Sequence, residues 1–374
     1  NAVAGVEING PLATGNALYN NYVGVRGDGS TRPAPRDPSG AGGYDPSQES
    51  GVLINQASAN YVGSLTPGLG NLISGNGNGV NVASPQAGQP AASANYVMGN
   101  TIGTDASGMN ALPNFRSGVF ITAAPNTQIL GNLISANGIA GIQIFGGQTQ
   151  RGGQGTAAGL GVTIAGNTIG LNRAGQIDFS PFDGRSRIHP DSDFPSVALP
   201  NDQITIQLGA QQHGVVVIGS SSNRIGLPGL GNVISGNTLT GVYISKLDDK
   251  LQSYATPAGN VVQSNDLRTN GIYGVFRYDA PNGNPTIAND FTGTPIPIGD
   301  FLTGQNLQAS GANQAQSILL GTVPTTPNRP GRRPRPTTVQ RPGASLAPRT
   351  TPTPVRPTSL QRLGMAQAAR TRLR

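Results

Sequence analysis

The string PGLGNLISGN at Pro67 to Asn76 returns almost unchanged as PGLGNVISGN at Pro228 to Asn237, and a looser copy, ILGNLISANG, begins at Ile129. Text repeated this closely within one chain specifies a structural unit used again and again, so the chain is restricted to a solenoid or another repeat architecture. The string sits inside a larger unit, in which Gly-Val-x-Ile is followed by Asn-x-Ile-x-Gly-Asn and a further turn. The first element recurs as GVEI at Gly5, GVLI at Gly51, GVNV at Gly79, GVFI at Gly118, GIQI at Gly141, GVVV at Gly214 and GVYI at Gly241. Its cleanest interval runs 23 residues, from Gly118 to Gly141.

Within each element the apolar residues fall at i and i+2, as in Val119 with Ile121 or Val242 with Ile244, which is the period of a strand. Helix is disfavoured throughout. The chain of 374 residues holds 55 glycines and 30 prolines, and no window carries a 3.6-residue apolar stripe. Short strands joined by glycine and asparagine corners, repeated in one direction, predict coils stacked at the ~4.8 Å strand spacing. Ile73 and Ile234 then point inward and stack into apolar columns, while Ser235 beside Ile234 is expected on the outward side. Asn71, Asn76, Asn132, Asn137, Asn232 and Asn237 fall at corners, where amides can bond to the coils above and below. The middle residues of Gly-Val-x-Ile, namely Leu53, Asn81, Phe120, Gln143, Val216 and Tyr243, are expected to form one outward row.

These repeats, with GNTIGTDASGMNALPN at Gly99 and GNTIGLNRAG at Gly166, resemble the right-handed parallel β-helix repeat proteins. That family shares the pectate-lyase-like fold, and more narrowly these strings look like the repeats of large secreted or surface-attached bacterial β-helix proteins. The resemblance implies an all-β, right-handed parallel β-helix. It implies no single activity, because the fold serves lyases, adhesins and passive surface proteins alike.

The coils are expected over residues 1–279, interrupted by loop insertions at 28–48, 146–158 and 176–205 that lack the repeat. Arg277 stands where isoleucine held the inward slot, so GVFRYDA at Gly274 is read as the last coil, followed by an irregular cap over 280–320. Residues 321–374 shift to proline, threonine and arginine and are expected to be a disordered tail. This tail holds 11 of the 24 basic residues and no acid, leaving 13 basic against 17 acidic residues in the body. The body is therefore mildly acidic although the chain carries +7. The tail lacks aromatic residues and suits a linker or contact with anionic polymers better than nucleic acid. The chain has no cysteine, which excludes disulfides, thiolate metal sites and a cysteine nucleophile. It has no apolar run of the ~20 residues needed to span a bilayer. Its start at Asn1 is expected to reflect processing or excision from a longer product.

Several strings suggest chemistry. GLGNLIS departs from a dinucleotide fingerprint, since Ile73 replaces the third glycine, and it reads as corner turns. The 176–205 insertion holds the densest ionisable cluster of the body, with Asp183, Asp191 and Asp193 as candidate catalytic acids. Arg185, Arg187 and His189 there are candidates for pairing with acidic sugars, and Phe120 and Tyr243 for stacking on sugar rings. Acids gathered on one loop lack the rigid placement that successive coils would give. Asp105, Asn172 and Arg26 share one corner of three coils; an arginine at that position points to a turn rather than a calcium site. RGD at Arg26 to Asp28 overlaps this corner, and His213 is read as a corner hydrogen-bonding residue. No metal site is assigned, and calcium enters only as a bridge to substrate. The sequence thus predicts a secreted or cell-surface, non-enzymatic β-helix that presents an extended face to a polysaccharide or other surface macromolecule. The rival reading is a polysaccharide lyase or glycoside hydrolase acting from the 176–205 insertion.

Overall fold

Parallel pairing between segments far apart in sequence organises every sheet. The computed structural model describes residues 3–33, 48–84, 92–146, 158–176, 211–247, 254–278, 283–292, 294, 296–301 and 317–318. All of them belong to one compact unit, Asn1–Pro327. The ten-stranded sheet stacks, in order, Ala4–Asn9, Ser50–Asn55, Asn78–Ala83, Ser117–Thr122, Ala140–Phe145, His213–Ile218, Thr240–Ser245, Tyr273–Tyr278, Ile296–Phe301 and Ser317–Ile318. An eight-stranded sheet runs from Ala17–Leu18 to Thr286–Ile287, and a six-stranded one from Tyr22–Val23 to Val233–Ile234. The chain visits the three sheets in turn and rises one strand per circuit. This is a right-handed parallel β-helix, the hand that twisted parallel strands favour.

The interior follows from register. Val52, Val80, Val119, Ile142, Val215 and Val242 form one column, and Ile54, Val82, Ile121, Ile144, Val217 and Ile244 a second. From the six-stranded sheet, Ile73, Ile102, Ile134, Ile169 and Ile234 face them, all fully buried. The marker glycine belongs to this packing. A Cβ on Gly118 would lie 2.6 Å from Ile134 Cγ2 and 2.8 Å from the Gly141 carbonyl oxygen, and one on Gly214 would lie 2.2 Å from Ile234 Cγ2. Glycine recurs there because the isoleucine of the same coil occupies the space.

Asparagines tie the corners, and the six expected ones fall in two separate ladders, with a further series at another corner linking Asn16, Asn60 and Asn95 and, later, Asn223, Asn260 and Asn284. Asn71, Asn132 and Asn232 belong to an unbroken series from Asn21 through Asn100, Asn167 and Asn265 to Asn289, with each Nδ2 donating to the next Oδ1 over 2.8–3.1 Å. Asn76, Asn137 and Asn237 belong to the other, which also includes Asn114, Gln211 and Asn270. The quoted decapeptide is one strand of the six-stranded sheet with a ladder amide at either end. Each buried amide is satisfied by its neighbours, which removes a cost of about 1–3 kcal/mol per unpaired group.

Two expectations are corrected. Coils do not stop at Asp279: Tyr273–Tyr278 pairs with Ile296–Phe301, which pairs with Ser317–Ile318. Arg277 does occupy the inward slot after Ile244, and the next strand places Asp300 directly opposite it. Arg277 Nη2 donates to Asp300 Oδ2 at 2.7 Å and Nη1 to the Asn284 carbonyl at 2.9 Å, so the apolar column ends in an ion pair and stacking continues past it. Ser235 is 3% exposed rather than outward-facing and free. It lies in the tight corner between Ile234 and Asn237, where strand alternation no longer sets direction. The greater parts of the three insertions, and the whole 321–374 tail, lie outside the described residues.

Candidate functional site

The candidate site is the outward face of the ten-stranded sheet, where the repeat leaves residue type unspecified. The expected row exists: register aligns Glu7, Leu53, Asn81, Phe120, Gln143, Val216, Tyr243 and Phe276 on successive strands. Beside it runs a second row, Asn9, Asn55, Ala83, Thr122, Phe145, Ile218, Ser245 and Tyr278.

The later half of this face is closed. Val216, Ile218, Tyr243 and Phe276 are buried with Phe145, Ile139 and Ala140 in an apolar cluster separate from the solenoid interior. Tyr243 is 2% exposed, its ring stacked 5.8 Å from Phe276 and tilted against His213 at 5.7 Å. Its expected role in stacking on a sugar is therefore not available; aromatic and aliphatic neighbours have taken its faces. His213 is likewise buried, with Nδ1 paired to Thr240 Oγ1 at 2.7 Å. Burial pushes its pKa down to about 4, so the ring is neutral at ordinary pH.

The earlier half is open and polar. Glu7 and Asn9 are exposed, and Leu53, Asn55, Asn81, Ala83, Phe120 and Thr122 are half-buried. Phe120 is half-buried, its ring tilted against that of Phe145 with 5.7 Å between centroids. Three polar atoms here, shut off from solvent as placed, have no hydrogen-bond partner, namely Asn55 Oδ1, Asn81 Oδ1 and Thr122 Oγ1, and Gln143 Nε2 on the buried strand that follows is a fourth. Gln143 is 2% exposed, and its Oε1 accepts from Ser117 Oγ at 2.8 Å. Unpartnered buried polar atoms are costly, and Ser235 Oγ shares that state away from this face.

Among the described residues, one cluster unforeseen from sequence places acids on neighbouring coils. Asp266 and Asp290 bridge in parallel at the end of the six-stranded sheet. Arg268 Nε lies 2.8 Å from Asp266 Oδ1 and 3.5 Å from Asp290 Oδ2. The arginine holds the Asp266 carboxyl below its ordinary range, and the Thr292 amide does the same for Asp290. Neither acid is poised to donate a proton near neutrality, so the pair lacks the general acid that glycoside hydrolysis needs. The aligned Asn265-Asp266 and Asn289-Asp290 steps were the sequence signal for this pair.

The remaining candidates resolve as turns. Burial works to raise the Asp105 carboxyl, but hydrogen bonds from Ser107 and Asn110 outweigh it and hold it low. Asn172 Oδ1 accepts from the amides of Ala174 and Gln176. Asp28 accepts from the Ser30 and Thr31 amides, so the RGD carboxylate is engaged within its own turn. Among the described residues no three His, Asp or Glu side chains converge to hold a metal. Asp183, Asp191, Asp193, Arg185, Arg187 and His189 lie outside the described residues. No described helix is long and apolar enough to cross a membrane.

No family model matches the chain, and no curated protein matches it in sequence. Among solved structures, the periplasmic alginate epimerase AlgG is similar at 14% identity and a TM-score of 0.38, over 65% of this chain and 42% of that one. The Azotobacter vinelandii mannuronan C-5 epimerase AlgE4 A-module is similar at 13% identity and a TM-score of 0.39, over 73% and 54%. The chain thus spans about half the length of these proteins. The likeness assigns no activity to it.

Proposed function

We propose that this chain is a ligand-presenting β-helix of the cell surface or extracellular space, which binds a polysaccharide along the open half of its ten-stranded sheet without cleaving it. The observation that carries this reading is the set of unpartnered polar atoms around the half-exposed Phe120 ring. An apolar ring flanked by hydrogen-bonding groups matches a sugar, which offers apolar faces and a rim of hydroxyls. Coils repeating at ~4.8 Å multiply contacts that are individually weak. The strands holding the face are fixed by two ladders and a continuous core, so binding costs little ordering of the protein.

The test is titration of the chain with a polysaccharide panel, with and without calcium, alongside assays for new reducing ends and unsaturated products. Binding without turnover, weakened by Phe120→Ala, is expected. Turnover that disappears in Asp183→Asn or Asp191→Asn would instead make this a lyase or hydrolase working from the 176–205 insertion. Binding of no polysaccharide would leave a structural surface protein.

A further inference from the structure

The open half of the face carries more information than the presence of a site. Its unpartnered atoms have a common origin. In the corner ladders each amide is followed on the next coil by another amide or its equivalent, so donor and acceptor chains close. On the outward face the series are cut short. Asn55 donates to Asn9 Oδ1 at 3.1 Å, but the next strand supplies Ala83, and Asn55 Oδ1 is left over. Asn81 is followed by Phe120, Thr122 lies between Ala83 and Phe145, and Gln143 is followed by Val216. Each polar series breaks where an apolar residue enters it.

The leftovers are all uncharged and include both acceptors and donors. Asn55 and Asn81 each present a carbonyl oxygen that can only accept, Thr122 a hydroxyl that can do either, and Gln143 an N–H that can only donate. The strands Ser50–Asn55, Asn78–Ala83, Ser117–Thr122 and Ala140–Phe145 contain no charged side chain. A sugar hydroxyl both donates and accepts, so it can pair with a group of either kind. A uronate carboxylate brings a full charge that must lose water against Leu53, Phe120 and neutral amides, with no cation on these strands to receive it. The unpartnered atoms are shut off from solvent as placed, so a ligand meets them only when the Asn55, Asn81 or Thr122 side chain turns outward, where each carboxamide offers N–H groups beside its oxygen.

From this we infer that the ligand of the face is a neutral, hydroxyl-rich polysaccharide and that acidic polymers are disfavoured there. The inference rests on the proposed binding role and names its substrate class. It replaces the expected pairing of acidic sugars with Arg185, Arg187 and His189 as the basis of recognition.

The experiment is calorimetric titration of the full chain with neutral homopolysaccharides (glucan, mannan, galactan) and with polyuronates, at low and high salt. Two variants, Asn81→Leu and Phe120→Ala, accompany it. A neutral polymer is expected to bind with an affinity that salt leaves unchanged, and each variant to weaken it about tenfold. Asn81→Leu is expected to keep the melting temperature of the parent, because its one side-chain bond, to Ser50 Oγ, is 3.5 Å long and leucine suits a slot between Leu53 and Phe120. Loss of binding with an intact fold separates a ligand contact from a structural one. If the polymer whose binding both variants weaken is a polyuronate, the substrate class is wrong while the binding role stands. If no polymer binds, or neither variant changes binding, the binding role itself fails and the class falls with it.

Discussion

The early and late halves of the ten-stranded sheet share both corner ladders, the same marker glycines and the same inward valine and isoleucine columns, yet their outer faces differ completely. Over Ser50–Thr122 the outward row is Leu53, Asn81 and Phe120, half-buried, with polar atoms unpartnered. Over His213–Tyr278 it is Val216, Tyr243 and Phe276, packed into a second apolar cluster. Inward positions therefore specify the coil, and outward positions decide its use. Because stacking consumes every backbone hydrogen bond and every second side chain, the row between can change character without disturbing the fold.

This comparison can be broken most severely from the inside, where the halves should not differ. Ile234→Asp places a charge in a fully buried column and is expected to cost more than about 4 kcal/mol in chemical denaturation. Ser235→Asp should also cost a few kcal/mol, since that residue is buried too; a neutral effect would restore the outward reading of Ser235. On the outer face the halves should separate. Truncating the buried ring in Tyr243→Ala is expected to cost about 3–5 kcal/mol, against about 1 kcal/mol for the half-exposed Phe120→Ala. Equal costs would mean that the early half is packed like the late one.

Acid should discriminate them as well. His213 is neutral when folded, with its pKa near 4, whereas the unfolded chain protonates it near 6.5. Unfolding therefore takes up a proton between those values. Stability is unaffected by this group above pH 6.5 and falls by about 3 kcal/mol as pH drops toward 4. Melting curves of the parent should show that loss over this window, and His213→Gln should lack it. The smallest effect belongs to the corners. Ala136 adopts φ of 60° where Gly75 and Gly236 stand at 75° and 76° in the other copies of the string. Ala136→Gly is expected to stabilise by about 0.5–1 kcal/mol, read as a slightly raised melting temperature.

What was legible in the sequence were the features that every coil must repeat. Gly-Val-x-Ile, Asn-x-Ile and the corner glycines recur because each coil meets the same neighbours above and below, so direction, stacking and the asparagine corners could be read from spacing. Features that depend on one particular neighbour could not. The coil after Asp279 was hidden because Arg277 breaks the pattern and its remedy, Asp300, becomes visible only once register is known. Tyr243 and Phe120 occupy identical slots in the repeat, and nothing local distinguishes the buried ring from the half-exposed one. Asp266 and Asp290 are 24 positions apart in the sequence and meet only through coil stacking. The unpartnered atoms of the candidate site are defined by what is missing on the next coil, a property no single repeat contains.

The central claim is tested most directly by the side-chain carboxamide signals of Asn55, Asn81 and Gln143 in NMR spectra of the chain, recorded with increasing neutral polysaccharide. The account predicts that these signals, with the Phe120 ring, shift together and saturate, while the ladder amides of Asn100 and Asn232 and the ring of Tyr243 stay in place. Saturable shifts confined to other sheets, or to the late half of this one, would contradict it.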